Sequence, residues 1–154
     1  MLGLPYNYLA GENLMQNTLS SGLEDYIETI YIASEGGETL KGAELARRMN
    51  ISRASVSEAL SKLVSKGLIK YNSYQAIFLT ETGKAEARRV YAKHHILKDF
   101  FENVLNVNPE EAGENACKIE HIISQSVLDK MEKFSEFFIK HKKILEIYME
   151  ESKK

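Results

Sequence analysis

Between Leu40 and Lys66 a short helix, a three-residue turn and a second helix follow in order, and Leu68 to Leu79 reads as a β-hairpin. From Thr80 onward the apolar residues recur with helical spacing. These observations predict a mainly α chain, an N-terminal winged helix-turn-helix domain followed by an all-helical domain. The expected divisions are an arm over 1–19, the winged domain over 20–84 and the helical domain over 85–154. With 154 residues and 44% hydrophobic content, the chain has enough apolar material for one ordinary domain or two small ones.

The first helix is expected near Ser21, because Leu23, Ile27, Ile30 and Tyr31 form one stripe, and Gly36-Gly37 should end it. The second covers Leu40–Met49. Asn50-Ile51-Ser52 is the turn, with Ile51 positioned to plug the core and Ser52 as N-cap of a helix over Arg53–Lys66. Val56, Leu60, Leu63 and Val64 are its expected buried stripe, and Gly67 suits its C-terminal stop. Two β-prone runs, Leu68–Tyr71 and Ala76–Leu79, flank the polar turn of the wing. Thr80 can cap a long helix to Val104 or Leu105, and Pro109 opens the first of three more helices, over Glu110–Ile123, Val127–Phe138 and Lys140–Glu150.

Composition narrows the function classes. No apolar run approaches the roughly 18–20 residues of a membrane span, and Met1–Ser20 lacks the basic start and apolar stretch of a secretory signal. A cytoplasmic protein without a membrane partner is therefore expected. The single cysteine, Cys117, excludes an intrachain disulfide. A net charge of −2 gives no general attraction to nucleic acid, so a DNA-binding reading must rest on a local surface.

That surface is the outer face of the second helix of the turn motif. With its apolar stripe inward, Ser52, Arg53, Ala54, Ser55, Ser57, Glu58 and Lys62 fall on the side available to DNA, and Tyr74 and Gln75 at the wing tip. Short hydroxyl residues at a helix N-terminus suit phosphate oxygens and base edges, because free backbone N–H groups and the helix dipole already favour anions there. Arg47, Arg48, Lys66 and Lys70 add positive charge. Glu58 could accept from a cytosine amino group or repel phosphate.

The sharpest chemical feature is Cys117-Lys118-Ile119-Glu120-His121. At i, i+3 and i+4 on a helix, thiol, carboxylate and imidazole share one face. Such donors suit Fe(II), Mn(II), Co(II), Ni(II) or Zn(II) better than Mg or Ca. Further donors could come from Asp25 and Glu28, three apart on the first helix, and from His94; adjacent His94 and His95 cannot face the same way. The pattern is one residue from the metal-binding motif of inverted zinc proteases, but the upstream winged helix argues against an enzyme. The competing reading is a metal-independent winged-helix regulator that senses a small organic effector.

The segments Leu23–Tyr31, the turn motif with its wing ending Leu79-Thr80-Glu81-Thr82-Gly83-Lys84, and Ala116–Ser124 together resemble the diphtheria toxin repressor and manganese transport regulator family, in its two-domain form. The resemblance implies a dimeric repressor of metal-uptake genes, activated by Fe(II) or Mn(II) with one or two ions per subunit, that binds palindromic double-stranded DNA. It places the metal ligands on Asp25, Glu28, His94, Cys117, Glu120 and His121. Manganese-type members tend to carry a carboxylate at the position of Cys117, and iron-type members a methionine at that of Asp25. An ancillary iron-type site would fall partly on Lys98 and Gly113.

A switch follows from charge. Three carboxylates and a thiolate in one hinge amount to as many as four negative charges, which favour an open arrangement until a cation neutralises them. A homodimer is expected from Phe134, Phe137, Phe138, Ile144, Leu145 and Tyr148, more apolar surface than a short C-terminal hairpin can bury.

Overall fold

The computed structural model describes residues 19–73 and 75–151. Its elements are α1 (Ser21–Glu35), α2 (Gly42–Met49), α3 (Arg53–Ser65), β1 (Ile69–Lys70), β2 (Phe78–Leu79), α4 (Glu81–Asn103), α5 (Pro109–Ile119), α6 (Gln125–Lys140) and α7 (Lys142–Glu151). The mainly α architecture and the helix-turn-helix with its wing are as expected. Tyr74, the expected wing-tip residue, and most of the expected N-terminal arm lie outside the described residues.

Local chemistry sets the boundaries. Asn50 ends α2 in the left-handed conformation (φ 55°), and Ser52 caps α3 by accepting from the Ser55 amide at 3.0 Å. β1 and β2 pair antiparallel with Ile69 opposite Leu79, and a bridge from Lys41 to Ala76 ties the wing to the start of α2. The Thr80 hydroxyl accepts from the Gly83 amide and donates to Gly67 O at 2.7 Å, which locks the wing to α4. Gly83 is required there, since a Cβ would lie 1.8 Å from Leu68 O. Asn108 caps α5 behind Pro109.

Two hydrophobic clusters share the chain. The larger joins α1, α2, α3 and the hairpin through Leu23, Ile27, Ile30, Tyr31, Leu45, Val56, Leu60, Leu63 and Ile77, and includes Ala87 of α4. The smaller gathers Leu97, Ala116 and Leu128, with Ile96, Phe101, Ile119, Ile123 and Met131 against them. Each fully buried leucine or isoleucine contributes about 1.5–3 kcal/mol by leaving water. Helix α4 passes from one cluster to the other, packing on α1 near its start and on α5 and α6 beyond, so His94 sits between the two cores.

Three expectations are corrected. Val64 is 41% exposed, one position beyond the inward row set by Val56, Leu60 and Leu63. Ile51 is 37% exposed, because the turn's amide bond to Ala46 O holds it at the rim. Helix α5 stops at Ile119: the amides of Ile122 and Ile123 both bond to Ile119 O, and Ser124 then starts α6. Glu120 keeps helical dihedrals as C-cap, so the shortening turns the chain just after it.

Candidate metal centre

Helix α1 brings two faces to the junction. One is the apolar stripe. Asp25 and Glu28, one turn apart, lie beside it and are half-buried rather than solvated. Helix α4 supplies His94, and the end of α5 supplies Glu120 and His121. Glu120 has no exposed surface at all.

These side chains form two groups whose donor atoms all lie within 4.8 Å of one another: Asp25 with Glu120 and His121, and Glu28 with His94 and Glu120. Glu120 belongs to both. Its Oε2 is 2.7 Å from His94 Nδ1, while its Oε1 is buried without a hydrogen-bond partner, 3.5 Å from His121 Nε2. His121 Nε2 also lies 3.0 Å from Asp25 Oδ1. Leaving a carboxylate oxygen dry and unbonded is costly unless a cation compensates it. An oxygen-rich set with two imidazoles is the donor chemistry of Mn(II) or Fe(II), so the residues present fit a divalent ion of that kind.

The electrostatics agree. Burial pushes Glu28 up to about 7, with Glu120 adding to the rise. Burial also raises Asp25, though His121 pulls the other way. The hydrogen bond to Glu120 raises His94 above the usual imidazole range despite burial. For His121, burial acts downward, but the hydrogen bond to Glu24 and the charges of Asp25, Glu120 and Glu24 carry it above its ordinary value. The two imidazoles and the raised acids therefore lessen the expected crowding of negative charge.

Cys117 is the expected ligand that the structure leaves out of both groups. It sits one turn before Glu120 on α5 and is exposed. Partial burial, reinforced by Glu120, Asp25 and Glu28, pushes its thiol above the ordinary value, which disfavours a free thiolate. The neighbouring histidines diverge as expected: His95 turns to Tyr91, with ring centroids 4.1 Å apart.

Two residues escaped the sequence reading. Glu24 is buried, accepting from Arg89 at 2.9 Å and from His121 Nδ1 at 2.8 Å. The signal was present, since Glu24 precedes Ile27 and Tyr31 by three and seven positions and so lies on the apolar stripe itself. An acid on a buried stripe needs a partner. Arg89 had no comparable sequence signal.

On the outer face of α3, Ser52, Arg53, Ala54, Ser55, Ser57, Glu58 and Lys62 are all exposed, as is Gln75 on the wing. Lys62 lies 2.6 Å from Glu58 and, through a hydrogen bond and its charge, lowers the Glu58 carboxyl below its ordinary value. Glu58 is thus paired with a cation of its own helix. In the C-terminal helices Phe138 is buried against Phe134 and Tyr148, whereas Phe134, Phe137, Ile144 and Ile147 are 44–58% exposed. Among the described residues no helix is long and apolar enough to cross a membrane.

Residues 18–77 match the model of the iron dependent repressor N-terminal DNA binding domain, and residues 80–149 that of the iron dependent repressor metal binding and dimerisation domain. An HTH-type transcriptional regulator of Methanocaldococcus jannaschii is 36% identical over 121 residues, 78% of this chain and 97% of the relative. The transcriptional regulator MntR of Escherichia coli O157:H7 is 32% identical over 115 residues, 74% of this chain and 73% of that one. Among solved structures, the manganese regulator SloR superposes with a TM-score of 0.64 at 32% identity, covering 76% of this chain; the chain spans only 54% of SloR's own length. By these matches the chain belongs to the iron-dependent repressor family of metal-dependent, DNA-binding transcriptional regulators, which includes the diphtheria toxin repressor and MntR types.

Proposed function

We propose that this protein is a transcriptional repressor whose hold on DNA is set by divalent metal, with Mn(II) or Fe(II) held by Asp25, Glu120 and His121 and by Glu28, His94 and Glu120. The observation that carries the reading is Glu120, wholly buried with one oxygen unbonded and shared by both groups. Bound there, a cation would supply positive charge that neutralises the clustered carboxylates. Mn(II) is favoured over Fe(II), because the gathered donors are carboxylates and imidazoles and the thiol stands outside them.

The donors come from three elements, and this links the centre to DNA. Asp25 and Glu28 ride on α1, which packs on α2 and α3; His94, Glu120 and His121 ride on α4 and the end of α5. Holding α1 against α4 and α5 fixes α3 relative to the C-terminal helices. In a dimer formed through Phe134, Phe137, Ile144 and Ile147, that angle sets the separation of the two α3 helices, which must match half-sites of a palindromic duplex. Ser52, Arg53, Ala54, Ser55, Ser57 and Lys62 would meet the major groove, and Tyr74 and Gln75 the flanking backbone. A regulator that binds operator DNA works where the DNA is, so this reading places the protein in the cytoplasm, with metal-uptake genes as its targets.

An organic effector is not favoured, since a buried carboxylate oxygen without a hydrogen bond suits a cation and penalises an apolar ligand. The test is a gel shift with a duplex selected from a random pool by the Mn(II)-loaded protein. Binding should be lost with chelator and restored by Mn(II). Equal binding in both lanes would refute the metal switch, and Glu120→Gln should bind weakly in both.

A further inference from the structure

Glu24 takes no place in either donor group, yet it is one of the few charged side chains that are buried among the described residues. Its two oxygens are committed to different elements. Oε1 accepts from the Arg89 guanidinium of α4 at 2.9 Å, and Oε2 lies 2.8 Å from His121 Nδ1 beyond α5. Arg89 is itself gripped by Glu86 through two further bonds, at 2.7 and 3.1 Å. A carboxylate offers only lone pairs, so the hydrogen in the Glu24–His121 contact resides on Nδ1. That leaves Nε2 as the nitrogen of His121 able to bind a cation, and Nε2 is the atom aimed at Asp25 Oδ1 and Glu120 Oε1.

We propose that Glu24 is the positioning residue of the centre: it fixes the tautomer and ring orientation of His121, and Arg89 anchors it by supplying the charge that makes its burial tolerable. The proposal rests on the reading of Asp25, Glu120 and His121 as cation donors. Outer carboxylates of this kind hold a ligating imidazole in one tautomer, and their loss typically weakens metal binding by about 10–100-fold. Here the carboxylate is shared with an arginine of the helix that carries His94, so the imidazole's orientation is tied to the placement of α1 on α4.

The shared carboxylate makes a specific forecast for the near-isosteric Glu24→Gln. An amide has one accepting oxygen, and the guanidinium claims it. The amide NH2 then faces His121 Nδ1, which must become the acceptor, and the ring proton moves to Nε2. The experiment is nitrogen-15 NMR of the histidine rings in the full chain with chelator, at a pH where the imidazoles are neutral, paired with Mn(II) titration followed by electron paramagnetic resonance.

The wild type should show His121 protonated on Nδ1, and Glu24→Gln on Nε2, with Mn(II) affinity about 10–100-fold lower. Arg89→Met, which leaves the carboxylate in place, should keep the Nδ1 proton. A wild type protonated on Nε2, or a Glu24→Gln variant with unchanged tautomer and affinity, overturns the assignment. If the tautomer inverts as expected but the wild type takes up no Mn(II), the cation reading fails and the positioning of His121 by Glu24 stands.

Discussion

Replacing Glu28 with glutamine should change the stability of the metal-free protein in a pH-dependent way. Glu28 is pushed from 4.5 up to about 7 in the folded chain, chiefly by burial and then by Glu120. A group with a raised folded pKa binds more protons in the native state than in the unfolded one between those limits. The contribution of Glu28 to stability is therefore fully present below pH 4.5 and is lost as pH climbs through 7. The full rise corresponds to about 3 kcal/mol, which solvent access at a half-buried side chain reduces to roughly 1–2 kcal/mol. Glutamine mimics the protonated acid, so Glu28→Gln should match the wild type near pH 4 and exceed it near pH 8. For a chain of this length the gap is roughly 3–6 °C in melting temperature. The assay is thermal unfolding with chelator at both pH values, comparing the two proteins so that titrating groups away from the centre cancel. Parallel pH profiles would refute the claim that Glu28 is strained by its surroundings. With Mn(II) added the order should reverse, because the variant lacks a donor.

Gly83→Ala should destabilise the fold by several kcal/mol, since its Cβ would meet the Leu68 carbonyl at 1.8 Å; equilibrium urea unfolding measures it, and a loss below about 1 kcal/mol would show that the wing can shift. Cys117→Ser should leave Mn(II) affinity unchanged in an isothermal titration, because the thiol stands outside both donor groups. A marked loss would return the cysteine to the ligand set. Replacing Phe134 and Phe137 together with serine should yield a folded monomer by light scattering, as both rings are about half exposed in the single chain. A persistent dimer would place the interface elsewhere.

The sequence was most informative where one residue type has one physical use. Ser52, Thr80 and Pro109 fell at helix starts because capping and the fixed proline φ leave few alternatives. The stripe Leu23, Ile27, Ile30 and Tyr31 is buried as its period demanded. Periodicity failed at Val64, where a β-branched residue adjoining the stripe faces water, because the width of a buried face is set by its neighbours. Helical spacing grouped Cys117 with Glu120 and His121; Glu120 and His121 do come together, but Cys117 stays outside both donor groups, and the further partners that gather round Glu120 come from α1 and α4. The Glu24–Arg89 pair spans 65 residues of sequence, a separation that no local pattern encodes.

The most direct measurement is anomalous diffraction from crystals of the Mn(II)-loaded protein. Manganese peaks should stand in contact with Glu120, one beside Asp25 and His121 and another beside Glu28 and His94, with Cys117 outside bonding distance. Manganese found only at other positions, with the Glu120 oxygen still unbonded, would contradict a cation-held junction between the DNA-reading helices and the C-terminal half.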